Sequence, residues 1–269
     1  MGDDGMSVLW DNGEVIFVSS DSSRHDGHVK KLQLEAENRL YKRCHMSKLV
    51  WLAIRETTAR VFSRNLIVAR VTSRLSGSAQ TSIGNTIQTK MILEFSTRLG
   101  PDLTLMRERA EYLGYRVVFA TSYCLYDMEF CSKLFWPTAD GLVLGAKIGR
   151  FLKKYGTMRI TARTEQDYKA SILSALNDNY FVPIVSSVLR RTLELLAHVK
   201  LGKVDKDEEY KHHVERRHQM TDETWFMLHD RYNITKLMVD QLEDKLKSVP
   251  YLPYNLEIPW FDSLVRRDD

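Results

Sequence analysis

Two short apolar, β-prone runs, residues 6–10 and 15–18, flank Asn12-Gly13. A two-residue type I′ turn needs two positions tolerant of positive φ, and Asn-Gly supplies them better than almost any other pair. The pattern predicts a β-hairpin in which Asp11 faces Glu14, Trp10 faces Val15, Val8 faces Phe17 and Asp4 faces Asp21. Over residues 29–45 the period changes. Val29, Leu32, Ala36, Leu40 and Tyr41 recur at helical spacing, with Lys30, Lys31, Lys42 and Arg43 off that face. An amphipathic helix packed on a sheet through those five residues is the expectation.

A second helix is expected over 49–62 and a strand over 65–72. Residues 74–86 begin as a Gly-containing loop and enter a helix that runs to about residue 98. Thr81 and Asn85 share one face of it at i, i+4 spacing. Small and hydroxylated residues there suit a helix that holds a polar ligand close to its backbone; they suit a Ser-rich cap on a core helix equally well. Gly100-Pro101 breaks the chain, Asp102 caps a helix reaching Leu113, and Gly114 ends it before a strand over 115–120.

Segments 128–136 and 141–144 read as a second hairpin. Lys147, Arg150, Lys153 and Lys154 follow, either as a solvated face or as contacts to a phosphate backbone. Beyond residue 164 the pattern is mainly helical: 166–177, 182–198, a helix started by Thr221, and another started near Thr235 that ends near residue 247. Residues 249–259 carry three prolines and are expected to be extended. A composition shift over 155–164 marks the expected boundary between domains 1–155 and 156–269. The fold class is α+β.

Composition narrows the picture only moderately. A chain of 269 residues with 43% apolar and 28% charged residues can bury a full core. Its net charge of +4 permits a basic groove without demanding one. Three cysteines, Cys44, Cys124 and Cys131, have no metal-site spacing, so free thiols in a reducing compartment are expected. His212, His213 and His218 lack a further ligand at sensible spacing, and no zinc site is expected there. No apolar run approaches the roughly 18 residues of a membrane span, and no signal peptide is expected at the N-terminus.

The predicted hairpin changes the picture most. Directly opposed side chains have Cβ atoms about 4.5–5.5 Å apart, and two carboxylates that close repel unless a proton or cation lies between them. Asp3 and Asp26 lie near the same end of the ribbon. A hard divalent cation with oxygen ligands, Mg²⁺ or Mn²⁺, fits such a set. Gly-Asp-Asp-Gly is also the composition of an ordinary polar turn.

Taken together, the motifs resemble the palm of viral RNA-dependent RNA polymerases. Asp21-Ser22-Ser23-Arg24-His25-Asp26 is similar to motif A of that family, two aspartates separated by four residues. Ser76-Gly77, Thr81 and Asn85-Thr86 resemble motif B as it occurs in noda-like and tombus-like enzymes. Leu113-Gly114-Tyr115 resembles motif D, and Met128-Glu129-Phe130-Cys131-Ser132 the primer-grip hairpin, motif E. The segment from Thr221 to Trp225, with Arg231-Tyr232, is similar to the helical thumb of noda-like enzymes. Motif C, normally between B and D, is missing there; Gly2-Asp3-Asp4 instead precedes motif A. This is the C–A–B order of permutotetravirus and birnavirus polymerases. In the family's palm sheet the strand leaving motif C lies antiparallel beside the strand entering motif A, so a tight Asn12-Gly13 joint can connect them.

The resemblance implies an RRM-like antiparallel palm sheet with helices, a mainly helical thumb, and a fingers region largely outside this chain, either on the same longer polypeptide or on another. It implies RNA-directed RNA polymerisation from nucleoside triphosphates, with Mg²⁺ or Mn²⁺ as cofactor, RNA template and primer as partners, and the cytoplasm of an infected host cell, including membrane-associated replication sites, as location. Asp3, Asp4 and Asp21 are the implied catalytic metal ligands. The family favours Asp3 opposite Asp21, whereas the hairpin register favours Asp4. Asp26 and Asn85 are implied to read the ribose 2′-hydroxyl, Ser76, Gly77 and Thr81 to hold nucleotide or template, and Ser132, Lys133, Lys147 and Arg150 to contact RNA. His25 stands where relatives commonly carry Phe. The nearest motif D base is Arg116, too weak an acid to protonate pyrophosphate, so the general acid is unassigned. The chain reads as the C-terminal part of a permuted replicase with little activity by itself. A reverse transcriptase and a non-catalytic RNA-binding protein with a palm-like shell are the competing readings.

Overall fold

The computed structural model describes residues 4–23, 25–56, 61–63, 66–68, 74, 81–155, 164–201, 218–253 and 256–268. The chain is α+β and divides into two compact units, Met1–Cys131 and Ser132–Asp269. The division falls at the turn before the second hairpin, ahead of the composition shift at 155–164. Among the described residues no helix is long and apolar enough to cross a membrane.

The first unit is built on β1 (Asp4–Asp11) and β2 (Glu14–Ser22), joined by Asn12 and Gly13 at φ 51° and 88°. Both turn residues are left-handed, as a type I′ turn requires. The register is the one the turn dictates: Asp11 opposite Glu14, Trp10 opposite Val15, Val8 opposite Phe17 and Asp4 opposite Asp21. A single turn, α1 (His25–His28), leads to α2 (Lys31–Arg43) and α3 (Ser47–Glu56). A short hairpin follows, β3 (Val61–Ser63) with β4 (Leu66–Val68). The expected helix over 49–62 is described as far as Glu56, and at its expected end Val61 to Ser63 is a strand instead, as β-branched and aromatic residues prefer.

Helix α4 (Thr81–Thr97) and helix α5 (Leu103–Tyr112) precede β5 (Val117–Ser122). The Asp102 side chain accepts from Thr104 N at 2.8 Å and Leu105 N at 3.0 Å, and Gly114 closes the helix at φ 88°. Strand β5 pairs antiparallel with β2, so the sheet order is β1-β2-β5 with β2 central. One sheet face carries Ile16, Val18, Val117 and Phe119 into a core shared with Leu34, Ile92, Leu93, Met106 and Ala110. The other carries Asp4 and Asp21, with Val8, Trp10 and Val118 largely exposed.

Helix α2 is rotated from the expected orientation. Leu32 is 77% exposed and Leu40 and Ala36 are exposed, while Leu34, Glu37 and Tyr41 are buried. Apolar periodicity gives a carboxylate no reason to face inward; the inward face follows once Glu37 finds buried partners. Gly5 lets β1 press onto α4, because a Cβ there would lie 2.4 Å from Leu93 Cδ1 and 2.6 Å from Thr89 Cγ2.

In the second unit β7 (Lys133–Thr138) and β8 (Gly141–Ala146) form the expected second hairpin; the two-residue β6 (Glu129–Phe130) precedes it within the first unit. Helices α6 (Ile148–Lys154), α7 (Glu165–Asn179) and α8 (Val185–Leu195) follow, then α9 (Asp222–Tyr232), α10 (Lys236–Ser248) and α11 (Phe261–Asp268). Thr221 and Thr235 stand at the N-caps of α9 and α10, where the sequence put the helix starts. Helix α11 is beyond the sequence reading. It docks on α6 where Asp268 accepts from Gly149 N at 2.8 Å and from the Tyr232 hydroxyl at 3.0 Å.

The Gly149 backbone is in direct contact with α11: an added Cβ would sit 2.0 Å from the Leu264 carbonyl oxygen. Gly149→Ala should therefore lower stability by about 1–3 kcal/mol, the ordinary cost of overpacking. Gly27→Ala, where a Cβ meets nothing within 4 Å, should be close to neutral. Thermal or urea melts of the two variants check the contrast.

Candidate active site

The hairpin brings the two described carboxylates of the candidate metal set together. Asp4 lies directly opposite Asp21 on the face away from the core, and Asp21 is flanked on its other side by Val118. In a two-residue hairpin the closing pair exchanges both backbone hydrogen bonds, and the two pair types then alternate. Counting back from Asp11 and Glu14 makes Asp4–Asp21 a non-hydrogen-bonded pair, the type whose Cα atoms approach to about 4.5 Å with side chains nearest. Asp3 lies outside the described residues. No group of three or more metal-ligating side chains is found among the described residues.

A second pair stands a few residues further on. Asp26 is carried on α1 and Asn85 on the first turns of α4, 59 positions apart in sequence, and Asn85 Nδ2 donates to Asp26 Oδ1 at 2.7 Å. Asn85 is 3% exposed. Thr81 opens α4 and is half-buried; Ser76 and Gly77 lie outside the described residues. A cavity of about 380 Å³ beside Asp4 is lined by β1, by Thr86 and Lys90 of α4, and by Phe130.

Behind this pair lies a buried polar network that the sequence did not announce. Glu37 accepts from the guanidinium of Arg74, and both side chains are fully buried. Gln88 Nε2 donates to the same Glu37 oxygen at 2.7 Å and to the Gln33 carbonyl at 3.2 Å. The Tyr115 hydroxyl donates to Gln88 Oε1 at 3.0 Å. Arg74 lies flat on α4 because residue 84 is glycine: a Cβ there would be 2.1 Å from its Nη1. One signal was available in the sequence, Glu37 at helical spacing between Leu34 and Tyr41.

His25, at the position where Phe is common in the resembling family, is 1% exposed and packs against Tyr115 with ring centroids 5.1 Å apart. Neither ring nitrogen has a hydrogen-bond partner among the described residues. Burial, then the Arg74 charge, push its pKa down to about 4, with Asp26 opposing and His28 adding to the fall. His28 is also lowered, by burial, Lys30 and Arg116. Burial and the Glu37 charge raise the Tyr115 phenol, so it stays a hydrogen-bond donor.

The candidate RNA contacts belong to the second unit. Ser132 sits with Cys131 in a positive-φ turn and Lys133 starts β7. Lys147 is only 7% exposed at the start of α6, so burial limits its use as a freely presented cation. Lys153 and Lys154 are the exposed members of that run, and Arg150 is half-buried. His218 pairs with Asp140 at 2.9 Å, while His212 and His213 lie outside the described residues. Cys44, Cys124 and Cys131 form no disulfide among the described residues. Neither a family model, nor a curated protein, nor a solved structure matches this chain.

The His25 environment makes a pH prediction. The unfolded imidazole titrates near 6.5 and the folded one near 4. As pH falls through that window the unfolded chain takes up a proton that the folded chain refuses, so the contribution present above 6.5 is lost. The difference amounts to about 3 kcal/mol by pH 4. His25→Phe should therefore flatten the acid limb of stability against pH and raise stability at neutral pH by about 1–2 kcal/mol, since no buried ring nitrogen is left unbonded. Urea melts at pH 7, 5.5 and 4 check both effects.

Proposed function

We propose that this chain carries the palm and thumb of an RNA-directed RNA polymerase of the permuted type, with Asp4 and Asp21, joined by Asp3, holding Mg²⁺ or Mn²⁺. One observation carries the reading, the Asn85–Asp26 hydrogen bond, formed by the aspartate that follows Asp21 of the Asp4–Asp21 pair by five positions. The hairpin alone would follow from Asn12-Gly13 in any protein. The contact from α1 to α4 does not follow from local pattern, and it joins the two residues that the resemblance pairs at the ribose. Sheet order supports the reading as well, since the strand after Gly2-Asp3-Asp4 lies antiparallel beside the strand entering the motif A stretch. Phe130, in the stretch resembling the primer grip, lines the same cavity as Asp4.

The donor set suits a hard cation. Two carboxylates opposed on adjacent strands offer oxygen ligands only, and a divalent ion between them relieves their repulsion. Such an ion pair, when bound, activates a 3′-hydroxyl and neutralises charge on departing pyrophosphate. The residues themselves supply position. β1 and β2 hold the two carboxylates across a fixed register. Asp26, a carboxylate able to accept more than one hydrogen bond, takes the ribose 2′-hydroxyl while Asn85 fixes its orientation. Arg116 immediately precedes β5, its carbonyl accepting from Ser23 N at 3.1 Å, and its exposed side chain offers a permanent positive charge rather than a proton.

Mn²⁺ titration followed by electron paramagnetic resonance tests the proposal. Wild-type chain should bind Mn²⁺, and Asp21→Asn or Asp4→Asn should weaken it by more than the 10- to 100-fold typical of losing a supporting residue in a metal site. Equal Mn²⁺ binding by wild type and Asp21→Asn would favour a palm-like shell without catalysis.

A further inference from the structure

The buried network behind the Asp26–Asn85 pair costs the fold more than an apolar core of equal volume would. A fully buried ion pair rarely gains stability over well-packed hydrophobic residues, yet Glu37 and Arg74 are both fully buried. Four separate parts of the first unit meet there: α2 through Glu37 and Gln33, the segment before α4 through Arg74, α4 through Gly84 and Gln88, and the entry to β5 through Tyr115. The links close on themselves. Asp26 is bonded to Asn85; Gln88, on the adjoining turn of α4, is bonded to Tyr115; and the Tyr115 ring packs on His25, the neighbour of Asp26. The Asp26–Asn85 geometry is thus fixed at both ends as well as by its own hydrogen bond.

We infer that Glu37, Arg74, Gln88 and Tyr115 are positioning residues that hold the Asp26–Asn85 pair in the orientation that distinguishes ribonucleotides from deoxyribonucleotides. The inference rests on the polymerase reading. None of the four touches the nucleotide in this scheme; each acts through the pair. Discrimination by a hydrogen-bonding site is large only when the donor and acceptor are held rigidly, because a site able to relax can satisfy itself without the missing hydroxyl. Gly84 belongs to the same device. Only a residue without Cβ lets the Arg74 guanidinium lie against α4 one position before Asn85.

Binding of ATP and of 2′-deoxy-ATP to the full chain, each with Mn²⁺, tests the inference. Tyr115→Phe removes one link and keeps the ring on His25; Gln88→Met removes the central amide at similar volume. Each should narrow the preference for ATP by about fivefold, the worth of one ordinary hydrogen bond. Asn85→Ala should abolish the preference and so sets the ceiling, and the affinity for Mn²⁺ alone should stay at the wild-type value in Tyr115→Phe and Gln88→Met. A preference unchanged in both variants overturns the inference and leaves the polymerase reading standing. A fall in Mn²⁺ affinity that matches the fall in ATP affinity assigns the network a general structural role and likewise overturns it. Failure of wild type to bind Mn²⁺ or to prefer ATP sinks the polymerase reading and this inference together.

Discussion

Everything proposed for the first unit depends on the register of one antiparallel pair. Asn12 and Gly13 adopt the two left-handed conformations that close a two-residue hairpin, and from that point each residue of β1 has a fixed partner on β2. A slip of one residue would turn every side chain of a strand to the opposite face. Gly5, Ser20 and Val18 would leave the helix-covered side, and the Asp4–Asp21 pair would not exist. The buried face resists such a slip, since any side chain in place of Gly5 would displace Leu93, Thr89 or Ser20 from its packing. Turn chemistry and helix packing therefore specify the same alignment independently.

The charged groups divide by depth. On the exposed side of the sheet Asp4 and Asp21 face each other, where water or a cation can reach them. On the covered side Glu37 and Arg74 neutralise one another out of reach of water, and Gln88 and the Tyr41 hydroxyl complete the carboxylate's hydrogen bonding. Helix α4 packs on the covered side. Its buried positions are Gly84, Asn85, Gln88 and Thr89 in the first half, then Ile92, Leu93, Ser96 and Thr97 in the second. The apolar half anchors it in the core, which frees the polar half to present Asn85 to Asp26. One helix thereby packs into the core at one end and, in the proposed reading, serves recognition at the other.

Legibility in the sequence follows from how local each determinant is. The hairpin, the Asp102 cap, the Gly114 stop and the helices begun at Thr221 and Thr235 were readable, because each is set by a few adjacent residues. The orientation of α2 was not. Of the expected stripe Val29 and Tyr41 are buried, but the tertiary meeting of Glu37 with Arg74 and Gln88 turns the helix to bury Leu34 and Glu37 in place of Leu32, Ala36 and Leu40. Helix α11 was missed because it is short and follows a proline-rich stretch; its seat is made by Asp268 reaching Gly149 and Tyr232 across the second unit. In the candidate site Asp4, Asp21, Asp26 and Asn85 were legible by resemblance and spacing. Arg74 was not, since an arginine at a loop edge reads as surface until Gly84 is seen to make room for it.

The central claim is that carboxylates from β1 and β2 converge on a divalent cation next to the Asp26–Asn85 pair. Anomalous diffraction from crystals grown with Mn²⁺ and a nucleoside triphosphate measures this most directly. The account predicts a peak within about 2.0–2.2 Å of carboxylate oxygens of both Asp21 and the Asp3–Asp4 pair, at ordinary hard-cation distance, with the ribose 2′-hydroxyl at Asp26. Mn²⁺ held elsewhere, or Asp21 more than about 10 Å from both Asp3 and Asp4, too far for an ion pair about 4 Å across, would contradict it.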